Sequence, residues 1–478
     1  MKINKFIIPI CGLALTMLST TSCSWFDVNP KTDVEAEDLF STPDGFESAL
    51  AGIYIASTER QAYGDNWTFG FMDKLVQSYD NIPQTENAST IYDYTRSGGS
   101  KDTQASMWQR SYFLIANANN LLRWLDKNGE TVIVNEEQKR MLRGEALAWR
   151  AFLHFDLLRA WGPIYKNNPK AKSIPYRKVA DNSKLPLLPA DSVGKLILAD
   201  IDSAQVLMEY ERNKSLSGSS RRFRLNYWAI TALKARVNLY LGNKEVAAAC
   251  ARDVIDNSGL TLASTNNGDP AFTTETLFGI NIYQMDENYT DLFSRGPGFE
   301  SQYYLRSDKF DQIFERKGEG VNDIRCRDYA FFIYADQQEA ITRKYQTAVN
   351  NLYMVPLIRI PEMYYILCES LPLNEAASYI TQVMEYRGLN GYQNFTSEEA
   401  REEALEKEYR KEFYAEGQYF FFLKSHGRTD FLLRPSDVPQ MTEAQYVFPL
   451  PDAEKEYGWT EENEEDANGS DADASAGN

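Results

Sequence analysis

The chain has 478 residues, with 68 Asp and Glu against 50 Lys and Arg, for a formal charge of −18. Such an acidic balance repels phosphate backbones and anionic headgroups, so it argues against nucleic-acid binding and against polybasic docking on membranes. Five cysteines supply no disulfide framework, so stability has to come from a core, and a chain of this length can bury a large one.

In chain order, the first element is an export signal. Lys2 and Lys5 precede an apolar stretch, Phe6 to Leu18, broken by Pro9 and Gly12; small hydroxylated residues, Ser19 to Ser22, then lead to Cys23. A basic start, a short apolar run and a small-residue cleavage site define a secretory signal peptide over 1–22. The run is shorter than the ~20 apolar residues of a membrane span. Cys23 stands where a lipoprotein signal places the cysteine that receives diacylglycerol, although Thr20 occupies the usual Leu position. The expectation is therefore a lipidated Cys23 and a tether over 23–40.

Ser41-Thr42-Pro43-Asp44 opens a helix, with Phe46, Leu50 and Ile53 or Tyr54 at helical spacing. A second helix is predicted over Met107 to Trp124. A third, from Glu136 to Trp161, is apolar on nearly every side within RGEALAWRAFLHFDLLRAWG, which predicts burial on more than one face. Gly162-Pro163 ends it, and five prolines over 163–189 give an extended crossing loop. Another helix starts at Asp191. Across 226–257, Ile230, Leu233, Val237 and Leu241 share one helix face, Gly242-Asn243 makes a turn, and Val246, Cys250 and Val254 face inward from the next helix. Ala232, Ala235, Ala247 and Ala251 at the crossing points complete a tetratricopeptide-type hairpin.

A similar pair spans 357–369 and 374–387, and the irregular period predicts scattered hairpins inside a larger body. Residues 260–355 lose helical periodicity and read as long loops with small strands. A charged helix runs from Glu402 to about Tyr414, and the acidic stretch 461–478 reads as a disordered tail. The fold expected is mainly α: tetratricopeptide-type helix hairpins forming a scaffold, with an irregular loop-rich face and small strands, in one domain over 41–460.

Motifs for catalysis do not stand out. No GxxxxGKS/T loop, no GxGxxG after a strand and no GxSxG elbow occurs. His154, amid the most apolar helix, reads as a hydrogen-bonded core residue, and His426 as a loop residue. Two distant histidines without a CxxC argue against zinc. Cys250 and Cys368 read as packing residues. Asn266-Asn267-Gly268-Asp269 reads as a turn more readily than as a calcium loop. A glycosidase needs a carboxylate pair, but among 68 acids some pair can always be nominated, so that signal has no specificity. The expectation is a non-enzyme, with no catalytic residue, metal or cofactor.

Several segments together, in order and spacing, carry a resemblance: the Cys23 start, FSTPDGFESALAGIY at 40–54, RGEALAWRAFLHFDLLRAWGPI at 143–164, NYWAITALKARVNLYLGN at 226–243, DIR at 323–325, IRIPEMYYILCES at 358–370, EKEYRKEFYAEGQYFFFLK at 406–424 and FPLP at 448–451. The chain resembles the SusD-like (RagB/SusD) outer-membrane lipoproteins of Bacteroidetes over nearly its whole length. It departs from them at Cys368-Glu369-Ser370, at Lys424 and in the acidic tail. The resemblance implies four tetratricopeptide-type helix pairs and an irregular face that carries the ligand site. It also implies a place as a lid over a TonB-dependent barrel transporter (SusC-like), to which captured glycan is handed. Some relatives bind peptides instead, which would call for strand-like pairing in an open groove.

Contact residues are nominated by chemistry, since sugar C–H faces stack on aromatic rings while amides, carboxylates and guanidinium groups bond hydroxyls. One region holds Asn66, Trp67, Tyr79, Asp80, Tyr92 and Tyr94; the other holds Tyr283, Tyr289, Arg295 and Tyr303. For any one of these aromatics, packing in the core is the competing role. A neutral or mildly charged oligosaccharide is the ligand expected, with a peptide or, further off, hydrolysis of a glycoside as alternatives.

Overall fold

The computed structural model describes residues 36–80, 98–181, 183–293, 303–327, 329–334, 338–346, 353–434 and 440–457. Helix α1 (Pro43–Ser57) begins as its sequence dictates. The Thr42 hydroxyl accepts from the Gly45 N–H at 3.2 Å, and Pro43 sits in the first turn, where it has no hydrogen bond to lose. α2 (Gly98–Trp124) starts nine residues before the expected point. α3 (Glu136–Trp161) is capped by Asn135, whose side chain accepts from the Gln138 N–H. Apart from Leu147, every residue of α3 from Gly144 to Trp161 is buried, in line with its all-round apolar sequence. α4 (Ala190–Met208), α5 (Tyr227–Tyr240), α6 (Lys244–Asn257), α7 (Ile360–Ser370) and α8 (Leu373–Tyr386) follow. None of the helices among the described residues is long and apolar enough to cross a membrane.

Each of these helices packs on the next, from α1 through α8, so they form four consecutive helix pairs. At the α3–α4 crossing Gly144 lets the helices approach closely: a Cβ there would lie 2.8 Å from the Met208 side chain, which would have to shift. The expectation of scattered hairpins is corrected here. α6 packs directly on α7 although residues 258–359 intervene, so the stack is unbroken in space while its period is broken in sequence.

The intervening stretch carries the strands. β3 (Thr276–Asn281) pairs antiparallel with β7 (Met354–Arg359), while β4 (Leu305–Arg306), β5 (Phe331–Tyr334) and β6 (Glu339–Thr342) form a sheet in the order β4-β6-β5. β1 (Lys172–Ile174) pairs with β2 (Leu188–Pro189) inside the proline-rich loop. Two short helices, Met285–Phe293 and Ser307–Ile313, stand where loops were expected; their apolar positions are too few to register as a period. α9 (Glu398–Glu412) begins four residues earlier than predicted, where the Ser397 hydroxyl accepts from the Ala400 N–H, and α10 (Gln418–His426) follows it.

A buried ionic cluster joins the stack, the insertion and the C-terminal helices. Arg359, from β7, bonds Glu412 at 2.6 Å and Glu416 at 2.9 Å; Arg387, after α8, bonds Glu412 at 2.7 Å and Glu275 at 2.8 Å. Arg325 bonds Asp323 and Glu408 at 2.8 Å and Glu412 at 3.1 Å. Lys344 and Lys411 pair with Glu416 and Glu408, so five cations face five carboxylates, all buried except the half-buried Lys344. The DIR, IRIP and EKEYRKEFYAEG segments are therefore structural, each supplying charges that the others need.

The histidines are placed by the same logic. His154 is fully buried: its Nδ1–H donates to the Arg150 carbonyl at 2.8 Å, its Nε2 accepts from the Arg177 N–H at 3.1 Å, and its ring stacks on Tyr176. Burial pushes it down to about 3. His426 is not a loop residue as expected. It ends α10, capped by Gly427 at φ +59°, and its Nε2 lies 3.3 Å from a Glu369 oxygen. Burial opposes its protonation, but Glu369 outweighs that and raises its pKa.

The signs are opposite. His154 contributes stability that is present above the unfolded value of about 6.5 and is lost as pH falls toward 3; His426 contributes stability that is present below about 6.5 and is lost as pH rises through its raised folded value. With two histidines in the chain, imidazole NMR can follow each. One resonance is expected to titrate above 6.5 and the other to stay neutral well below pH 5. Two midpoints near 6.5 would contradict both environments.

Candidate functional site

The two regions nominated from sequence converge. Asp80 donates its N–H to the Tyr304 carbonyl at 2.7 Å, and its carboxylate accepts from the Arg306 N–H at 2.6 Å and from Lys309 Nζ at 2.9 Å. Lys309 also reaches the carbonyl of Gln77 at 2.8 Å, a residue held at φ +55°. Beneath this junction Tyr79 stacks on Tyr303 with ring centroids 4.6 Å apart and planes at 13°. Phe293 meets both rings edge-on and Tyr289 stacks on Phe293. The hydroxyls are answered by main chain: Tyr79 donates to the Phe69 carbonyl, Tyr289 to Thr342 and Tyr414 to Ser78.

The footing of this face is tied to the C-terminal helices. Asp73 accepts from the Ser78 hydroxyl and from the Gly417 N–H, both at 2.7 Å, and burial pushes its carboxyl up to about 7. Gly417 lies at φ +74° with the Trp67 carbonyl 2.5 Å from where a Cβ would stand, so no other residue fits there without strain.

Several nominated residues do not offer themselves to solvent. Trp67, Tyr79, Tyr289 and Tyr303 are at most 4% exposed and cannot stack a ligand from water. Trp67 packs between Trp161 and Phe421, and the tyrosines make the aromatic footing just described. Asn66 is half-buried, its carbonyl accepting from the Met72 N–H. The Asp80 carboxylate is held by the Arg306 N–H and by Lys309, which makes it an anchor between the two loops. Tyr283 is 89% exposed and free to stack. Cys23, Tyr92, Tyr94 and Arg295, and the tail 461–478, lie outside the described residues.

Sequence reasoning missed Tyr304 and Arg306, which sit beside Asp80, the Arg306 side chain 69% exposed. The signal was present in the run Tyr303-Tyr304-Leu305-Arg306, which leads into β4 and alternates in burial: Tyr303 and Leu305 are buried, Tyr304 half-buried and Arg306 exposed.

A family model described as SusD-like_3, starch-binding associating with outer membrane, matches residues 24–239. SusD-like protein P38 of Formosa agariphila is 26% identical over 325 residues, which are 66% of this chain and 56% of that protein, so the chain spans little more than half the length of that relative. Among solved structures, a SusD superfamily protein of Bacteroides thetaiotaomicron superposes with a TM-score of 0.70 at 19% identity, over 87% of this chain and 98% of the other. A SusD-like carbohydrate binding protein of Bacteroides vulgatus gives 0.69 at 16% identity, over 87% and 97%. At such identities the structural likeness is one of fold.

Proposed function

We propose that this chain, which belongs to the SusD-like family, is a surface lipoprotein that binds oligosaccharide on its loop-bearing face and hands it to a TonB-dependent barrel transporter of the SusC-like type. The family match over 24–239 carries the reading, because that family is described as starch-binding and associating with the outer membrane. Supporting it, the two aromatic loop regions meet on a rigid footing, as a binding face of mobile ligands requires. In this reading residues 1–22 are removed, Cys23 holds the lipid, 23–40 are the tether to the body at 41–460, and 461–478 are a solvated tail. The protein binds without cleaving, and its charge of −18 favours a neutral or mildly charged glycan.

The test is affinity electrophoresis and calorimetry against a panel of neutral glycans, with product analysis of each mixture and a mild-detergent pull-down from native membranes. Saturable binding without shortening of the glycan is expected, together with recovery of a large barrel protein. Removing an exposed stacking ring should cost about 1 kcal/mol, so Tyr283→Ala is expected to weaken binding several-fold while leaving the unfolding midpoint unchanged. Glycan cleavage, or capture of peptides in place of glycans, would overturn the reading.

A further inference from the structure

A cavity of about 410 Å³ lies between the helix pairs and the C-terminal helices, walled by α3, the α5–α6 turn, α7, α9 and α10. Its size falls among small-molecule sites, roughly 300–1,000 Å³. The wall is rich in rings: Tyr165 and Tyr240 stand 5.2 Å apart, and Phe155 meets Tyr240 edge-on at 5.4 Å. Arg236 and Glu362 satisfy each other through two bonds of 2.5 and 2.6 Å, so that pair asks nothing of a ligand.

The remaining polar groups close on themselves only in part. Arg159 pairs with Asp156 and Gln418, and Arg401 with Glu398, but both are 5% exposed and each keeps an Nε–H with no acceptor among the described residues. The buried Tyr240 hydroxyl has no partner among them either. Lys166 and Lys244 are exposed lining residues that donate to the main-chain carbonyls of His426 and Glu369. Among the described residues neither lysine has a carboxylate within ion-pair distance, in a chain that carries an excess of acids. The groups left open are thus mostly donors, although four carboxylates also line the cavity: Glu362 and Glu398 paired with arginines, Glu369 beside His426, and Glu402. Buried donors are normally satisfied in native proteins, and a cavity that gathers unsatisfied ones beside aromatic walls is shaped for a molecule that brings acceptors.

We propose that this cavity is a second binding site, for a small ring-bearing monocarboxylate whose oxygens meet Arg159, Arg401, Tyr240 and the two lysines while its ring lies against the aromatic wall. The inference is independent of the loop face, since the cavity is lined by none of Tyr79, Asp80, Tyr283 or Arg306. It also inverts, locally, the preference against anions that the whole chain's charge sets.

The test titrates the purified full chain with D-galacturonate and with D-galactose, which share a ring and differ in carrying a carboxylate or a hydroxymethyl group, followed by calorimetry and ligand-observed NMR. Galacturonate is expected to saturate and to bind at least tenfold more tightly than galactose, and to weaken as salt is raised. Tyr240→Phe and Lys244→Gln should each weaken it several-fold at an unchanged thermal midpoint; Lys244 is on the surface, so its variant reports even if Tyr240→Phe disturbs packing. Absence of saturable galacturonate binding, or equal affinity for the two sugars, would overturn the proposal. So would weakening by Tyr283→Ala with no effect of Tyr240→Phe and Lys244→Gln, which would place the anion on the loop face.

Discussion

Glu412→Gln is expected to lower the stability of the folded chain by about 3–5 kcal/mol, the usual cost of breaking a buried ion pair from one side. Glu412 receives Arg359, Arg387 and Arg325 at 2.6, 2.7 and 3.1 Å, and all four side chains are buried. A glutamine keeps the shape but brings no charge, and its amide N–H groups face three guanidinium donors. Urea titration is the measurement, because urea leaves the charges unscreened. A loss below 1 kcal/mol would mean that the cluster is penetrated by water.

The same cluster sets an acid dependence. Burial by itself would raise the Glu408 and Glu412 carboxyls, but Arg325 with Lys411, and Arg387 with Arg359, outweigh it. They hold Glu408 at about 2 and Glu412 well below the carboxylate range. Both folded values are depressed, so their contribution is present above the unfolded value of about 4.3 and is lost as pH falls toward 2. Glu408→Gln should flatten that part of the stability profile.

Cys23→Ala is expected to abolish incorporation of a fatty-acid probe and to remove the protein from the outer-membrane fraction. Each buried methylene of an acyl chain contributes about 0.8 kcal/mol, so two or more chains make an anchor that one thiol decides. No helix among the described residues is long and apolar enough to span. Metabolic labelling and fractionation settle the point. A wild-type protein that is unlabelled and free of the membrane would sink the lipoprotein reading, whatever the fold.

Helix content was legible because its signal is local. The bounds of α3 and of the α5–α6 hairpin follow from apolar spacing within one or two turns, from Asn135 and Asn226 as caps, and from Gly242 at φ +82° between the two hairpin helices. The order of the charged motifs was legible too, although their purpose was not. Arg325, Arg359, Arg387 and Glu412 are spread over almost ninety residues, and nothing in a local window says that they meet.

Which aromatic faces water was decided by tertiary structure. Trp67, in DNWTF, and Tyr283, in NIYQM, each have polar and apolar neighbours in sequence. Trp67 is covered by Trp161 and Phe421, from elements far along the chain, while Tyr283 is left 89% exposed among the described residues. Likewise Tyr79 is buried by Tyr303, and α6 reaches α7 across residues 258–359. Periodicity is a property of consecutive residues and is written in the sequence; burial is a property of contacts between distant ones, and is fixed when the helix pairs, the insertion and the C-terminal helices close on each other.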